Sequence, residues 1–124
     1  FGGAISGTGG LVKDGDDRQV LTGASTYSGA TAVDAGVLNI QNATALGTAA
    51  GATSVAAGAA LEVQGGITVA EAITINGTGI AGDGAIRNIG GANDLSGAIT
   101  LGSAARINSD AGTLVLSGGI GGAG

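Results

Sequence analysis

GLVKDGDDRQVLTGASTYSGATAVDAGVL, the stretch from Gly10 to Leu38, returns in shortened form as SDAGTLVLSGG from Ser109 to Gly119. Both copies contain the block Asp-Ala-Gly-x-Leu, as Asp34, Ala35, Gly36 and Leu38 and then as Asp110, Ala111, Gly112 and Leu114. Self-similarity of this kind marks a repeat architecture, in which each unit buries its apolar face only against its neighbours. Apolar and polar residues alternate over short runs between glycines, which is the period of a half-buried strand.

Outward from these copies, similar runs fill the chain. Strands are predicted at Gln19–Thr22, Thr31–Asp34, Val37–Ile40, Ser54–Ala56, Ala60–Val63 and Ile73–Ile75, then at Ala85–Ile89, Ala98–Leu101, Arg106–Asn108 and Thr113–Ser117. With 28 glycines and no capped 3.6-residue pattern, helix is disfavoured throughout. Three aliphatic series share a period of about 22 to 25 residues: Val33, Val55 and Ile99; Leu38, Leu61, Ile86 and Ile107; Leu21, Leu46, Val69, Leu95 and Val115. A hairpin sandwich would repeat turn signals such as Asn-Gly, whereas Asn76-Gly77 stands alone. The chain therefore reads as all-β, a right-handed parallel β-helix of about five coils with three faces each. Residues 1–124 form one array, with Asn42–Thr53 and Gly90–Asp94 as corners.

Composition narrows the core and the partners. Proline, cysteine, methionine, histidine and tryptophan are absent, and the aromatics are Phe1 and Tyr27. Such a chain fills a narrow core of stacked aliphatic rungs. A net charge of −5, with Lys13, Arg18, Arg87 and Arg106 scattered, argues against neutralising nucleic-acid phosphates. Without cysteine there is no disulfide framework and no thiolate metal site. No stretch reaches the roughly 20 apolar residues of a membrane-spanning helix. A start at Phe1 without a signal sequence reads as a processed or excised piece.

Few residues offer chemistry. Asp14, Asp16 and Asp17 could present oxygens to a cation, but they follow neither the twelve-residue calcium loop nor the β-roll repeat. Lys13 and Arg18 flank them, so the expectation is a solvated, locally compensated turn. Asp34 and Asp110 share a repeat position and are expected to serve turn donors. About three coils separate them, on the order of 15 Å, too far to flank one glycosidic bond. Lacking histidine, the chain cannot form a Ser/His/Asp triad, and a Ser/Lys pair would need Lys13 in an exposed corner. SGTGG and SGGIGGAG lack the Gly-Lys-Ser/Thr of a phosphate loop. Asn42-Ala43-Thr44 and Asn76-Gly77-Thr78 match the N-glycosylation triplet, and Tyr27 is expected to pack over a corner. No catalytic, metal or cofactor residue is assigned, and no enzymatic activity is expected.

The order Leu-Thr-Gly, Thr-Tyr-Ser-Gly, Asp-Ala-Gly-Val-Leu resembles the autotransporter-associated β-strand repeat of bacterial secreted passenger proteins. The matching positions are Gly10, Leu11, Lys13, Leu21, Gly23, Tyr27, Gly29, Gly36 and Leu38, with a partial second copy at Ser109–Gly119. Asp16-Asp17-Arg18-Gln19 departs from the usual Gly-Thr stretch and puts the tight turn there in doubt. The resemblance implies a right-handed β-helical passenger exported through an outer-membrane β-barrel, with this segment as a structural stalk on the bacterial cell surface. Partners would be further β-helix segments or protomers at both ends and the translocator barrel. One alternative is a fibre subunit joined end to end, because FGGAISG and SGGIGGAG lack edge protection. Another is a carbohydrate-binding or carbohydrate-active β-helix, which would want an aromatic platform or close carboxylates. An ice-binding helix would want a regular threonine ladder.

Overall fold

The computed structural model describes residues 3–48 and 51–122. Its strands in the first half are β1 (Leu11–Lys13), β2 (Arg18–Leu21), β3 (Thr31–Val33), β4 (Val37–Ile40), β5 (Thr53–Val55), β6 (Ala60–Gln64) and β7 (Thr68–Val69). The second half adds β8 (Ile73–Gly77), β9 (Ile86–Gly90), β10 (Ala92–Leu95), β11 (Ile99–Ala105), β12 (Ile107–Ser109), β13 (Thr113–Val115) and β14 (Ile120–Gly122). One 3-10 turn, Ile80–Gly82, is the sole helical element among the described residues.

Three sheets wrap a common core. The first runs β1-β3-β5-β8-β11-β14, the second β12-β9-β6-β4-β2 and the third β13-β10-β7. Every strand pair is parallel, so the chain is a parallel β-solenoid of about five turns. Asn76-Gly77 accordingly closes no hairpin; the Asn76 Nδ2 donates to the Val55 carbonyl one coil away.

The central aliphatic series is a true rung. Leu38 pairs with Leu61, Leu61 with Ile86, and Ile86 with Ile107. Leu38, Leu61 and Ile86 are fully buried and Ile107 packs partly against them. Each fully buried side chain contributes about 1.5–3 kcal/mol. The other two series need correction. Val33 stacks on Val55, but the row continues through Ile75 and Leu101, while Ile99 lies in the adjacent row with Ile73. Val69 stacks on Leu95, whereas Leu21 belongs with Ile40, and Val115 faces outward opposite Asp94. The cause is variable corner length: the step between coils is 19 residues from Arg18 to Val37 and 26 from Ile73 to Ile99.

Corners differ from expectation for similar reasons. Gly90–Asp94 is not a free corner, since β10 starts at Ala92 and turns Asn93 inward. Asn88 and Asn93 pair inside this turn, Asn93 Nδ2 donating to the Asn88 Oδ1. Asn88 also donates to the Ala111 carbonyl at 3.0 Å, and the Asn93 Oδ1 accepts from the Ile67 amide at 2.8 Å. The strands β1, β7, β10 and β14 escape the alternation reading because two to four residues carry too little pattern.

The third sheet begins only at β7. In earlier coils the same side of the core is filled by Ala45, Leu46 and Tyr27. Tyr27, expected over a corner, is instead 1% exposed and inside, its hydroxyl 2.6 Å from the Thr31 Oγ1. At the entry to the first sheet the coils come very close: a Cβ on Gly51 would strike the Gly29 carbonyl, and one on Gly118 the Gly97 carbonyl.

Candidate functional site

The outer face of the second sheet carries the chain's densest polar array. Val20, Asn39, Glu62, Arg87 and Asn108 stand in register there, one per coil. Strand alternation turns Glu62 away from Leu61 and Val63, yet it is 0% exposed. Its Oε2 accepts from Arg18 Nη2 at 3.0 Å and from Arg87 Nη1 at 3.4 Å, while its Oε1 accepts from Asn39 Nδ2 at 2.9 Å. Asn39 also donates to the Gln64 Oε1, and Gln41 donates to the Asn39 Oδ1. Arg87 bridges onward to Asp110, which holds its guanidinium even more firmly charged than usual. Both Glu62 oxygens are engaged, so the row clamps neighbouring coils, while the buried Arg87 Nε has no partner among the described residues.

Lys13 is the largest correction. Expected in an exposed corner, it is 8% exposed and occupies the inward row that continues as Val33 and Val55. Its Nζ donates to the carbonyls of Asp14, Gly15 and Ala35 at 3.0, 2.8 and 3.3 Å. A charge at the end of an apolar row is tolerable because backbone oxygens surround it.

Asp14, Asp16 and Asp17 form the exposed turn between β1 and β2, as expected. Compensation by the flanking cations is not what happens: Lys13 goes to carbonyls and Arg18 to Glu62. The Asp14 Oδ1 accepts from the Gly15 amide at 2.8 Å. No group of three or more metal-holding side chains occurs among the described residues.

The Asp110 carboxylate, expected to serve turn donors, accepts instead from the Arg87 and Asn108 side chains, and what Asp34 and Asp110 share is a backbone turn. The amides of Asp34 and Ala35 both donate to the Lys13 carbonyl, and those of Asp110 and Ala111 both donate to the Asn88 carbonyl. The two turns sit at different corners, however. Asp34 leads from the first sheet into the second, and Asp110 from the second into the third. Their shared repeat position is thus a shared turn, used twice in unlike places. Asn42 accepts from the Thr44 amide and hydroxyl within its triplet, at 3.0 and 3.1 Å.

A cavity of about 510 Å³ opens beside β1 and β2, lined by Ile5, Leu11, Leu21 and Leu38 with Lys13 and Arg18 at its edge. It is the open mouth of the core.

Glu62, Glu71, Asn39, Asn88 and Asn93 were not singled out by sequence reasoning. A signal existed for Glu62: Arg87 lies 25 residues from it and Arg18 lies 44, one and two coil steps. For Glu71 the signal is positional, since Gly29-Ala30-Thr31, Gly51-Ala52-Thr53 and Gly97-Ala98-Ile99 align with Glu71-Ala72-Ile73.

Residues 11–40 match the family model described as passenger-associated-transport-repeat. This segment is an autotransporter passenger repeat. Its limits coincide with the first residue of β1 and the last of β4. The chain is also 41% identical, over 73 residues, to the adhesin BmaC autotransporter of Brucella suis biovar 1 (strain 1330). That alignment covers 59% of this chain and 2% of the relative, so the chain spans a small part of that protein. No solved structure matches the chain.

Within the passenger repeat, the motif residues serve packing. Leu38 fills the central rung, Tyr27 fills the irregular third face and Lys13 closes the inward row. Gly36, at φ 69°, lies so near the Asp17 carbonyl and the Lys13 Nζ that a Cβ would stand 2.6 and 2.8 Å from them. The departure at Asp16–Gln19 does not cost the turn, which Gly15 makes at φ 83°, and it supplies Arg18 to Glu62.

Proposed function

We propose that this chain is a structural stretch of an autotransporter passenger, a non-catalytic β-helical stalk on the extracellular side of a bacterial outer membrane. The observation that carries the reading is the agreement between the passenger repeat at residues 11–40 and the four strands β1 to β4, which stack as two successive coils. The relative's designation as an autotransporter adhesin supports the same placement. A passenger of this kind would emerge unfolded and gain one rung at a time, each coil needing only its neighbour to bury its apolar row. In this reading further β-helical coils stack against the edge strands, with the cavity lined by Leu11, Leu21 and Leu38 receiving their side chains. The charged row from Arg18 to Asp110 then holds the coils in register against lateral slip.

The test is export of the chain fused to an autotransporter translocator barrel, followed by protease shaving of intact cells. We expect a surface-displayed, protease-resistant product, lost when Leu61→Asp breaks the central rung. Retention of the wild-type fusion inside the cell, or polysaccharide cleavage by the purified chain, would overturn the proposal.

A further inference from the structure

Glu71 occupies the one corner slot where the adjoining coils carry glycine. Thr53 and Ile73 pair in register, as do Ile73 and Ile99, and two residues ahead of them stand Gly51, Glu71 and Gly97. The backbone there is regular: the Thr53 amide donates to the Ala72 carbonyl at 2.9 Å and the Ile73 amide to the Ala98 carbonyl at 3.0 Å. A full carboxylic side chain is therefore packed where its neighbours have none, and the residue is only 4% exposed. Its one hydrogen bond is long, from the Thr53 Oγ1 at 3.5 Å.

No cation attends it. Lys13 is bound to three carbonyls, Arg18 and Arg87 to Glu62, and Arg106 to the Gly82 carbonyl. The titratable group facing it is the Tyr27 phenol, which is itself buried and bonded to Thr31. Asp94, on the next coil, points outward and accepts from the Ser117 hydroxyl at 2.7 Å. A lone buried carboxylate is strongly disfavoured, so the neutral acid is the form this site fits. Burial pushes the carboxyl up to about 7.

The segment leading into Glu71 also lies at a sheet edge. The two-residue β7 is an edge strand, paired only with β10, because the third sheet begins there. We infer that the β7–Glu71 corner is a proton-gated joint, closed when Glu71 is neutral and opening locally when it ionises, so that Ile67 and Val69 are released before the first and second sheets part. The inference stands on this packing and does not depend on the passenger reading.

Native-state hydrogen exchange of the full chain, followed by mass spectrometry and corrected for intrinsic pH effects, tests it. Between about pH 5 and 7 the opening constant of peptides over residues 65–72 should rise by up to about tenfold per pH unit. At pH 8.5 those peptides should exchange well ahead of peptides from β4 and β6. Glu71→Gln should flatten the pH response, and Glu71→Gly, which restores the corner glycine, should do the same. A flat wild-type response, a Gln or Gly variant that keeps the wild-type slope, or residues 65–72 opening only together with β4 and β6 would each overturn the joint.

Discussion

Arg18 and Glu62 are 44 residues apart in the chain and 3.0 Å apart in space, joined across an intervening coil. Asn39 stands in that coil and bonds the same carboxylate. The pair is unequal: the Arg18 side chain is 55% exposed and that of Glu62 fully buried. Burial makes Glu62 the anchor of the row and Arg18 its outer cover.

Truncating the two partners should therefore have different consequences. Glu62→Ala takes one acceptor from each of Arg18, Asn39 and Arg87, although Asn39 keeps Gln64 and Arg87 keeps Asp110, and should cost about 2–3 kcal/mol. Arg18→Ala removes a largely exposed partner and should cost about 1 kcal/mol or less. Urea denaturation of both variants measures the contrast. Equal losses would mean that the outer arginine, and not the buried carboxylate, holds the coils.

Much of the fold was legible because a solenoid repeats one decision. The rung Leu38–Leu61–Ile86–Ile107 followed from spacing alone, since its steps from coil to coil stay near one period. The first and third rows were mis-phased where corners changed length, as at the longer step between Ile73 and Ile99. Local pattern could not reveal Lys13 as an interior residue, because its three carbonyl acceptors come from turns that only the folded coil assembles. The Asp-Ala-Gly-x-Leu echo fixed a turn correctly without fixing which corner it turns. Buried Asn88 and Asn93 gave no sign of themselves, as each satisfies the other only after the strand β10 turns inward.

Stability should fall as pH rises from acid to neutral. Glu71 is raised in the folded chain from its ordinary 4.5 to about 7, so its contribution is fully present below about pH 4.5 and lost as pH rises through about 7. The loss should be about 1–3 kcal/mol between pH 4.5 and 8. Glu71→Gln should remove most of that dependence and be the more stable chain at pH 8. Chemical denaturation at both pH values provides the measurement, and a wild type that is more stable at pH 8 would contradict the sign.

The central rung should be the least forgiving apolar position. Leu61 lies between Leu38 and Ile86 with no exposed surface, so Leu61→Ala should cost about 2–5 kcal/mol. Leu61→Asp buries an unpaired charge and should leave no cooperative transition. Ile120, half-exposed in β14, should cost far less when shortened to alanine. A soluble, fully β-structured Leu61→Asp chain, seen by circular dichroism, would refute the register.

Two glycines separate backbone strain from close packing. Gly15 and Gly47 have nearly the same backbone, at φ 83° and 80°. A Cβ on Gly15 would meet nothing within 4 Å, whereas one on Gly47 would run into the Tyr27 carbonyl and stand 3.1 Å from its ring. Gly15→Ala should therefore cost only the left-handed strain, about 1–2 kcal/mol. Gly47→Ala should add displacement of a buried aromatic and cost clearly more. The double variant Gly47→Ala with Tyr27→Ala should lose less than the two single losses combined, because removing the ring relieves the ring contact while the carbonyl clash stays. Thermal melts of the four chains decide it. Equal losses at the two glycines, with strict additivity in the double variant, would show that Tyr27 is not held against Gly47, and the irregular third face would need another account of its packing.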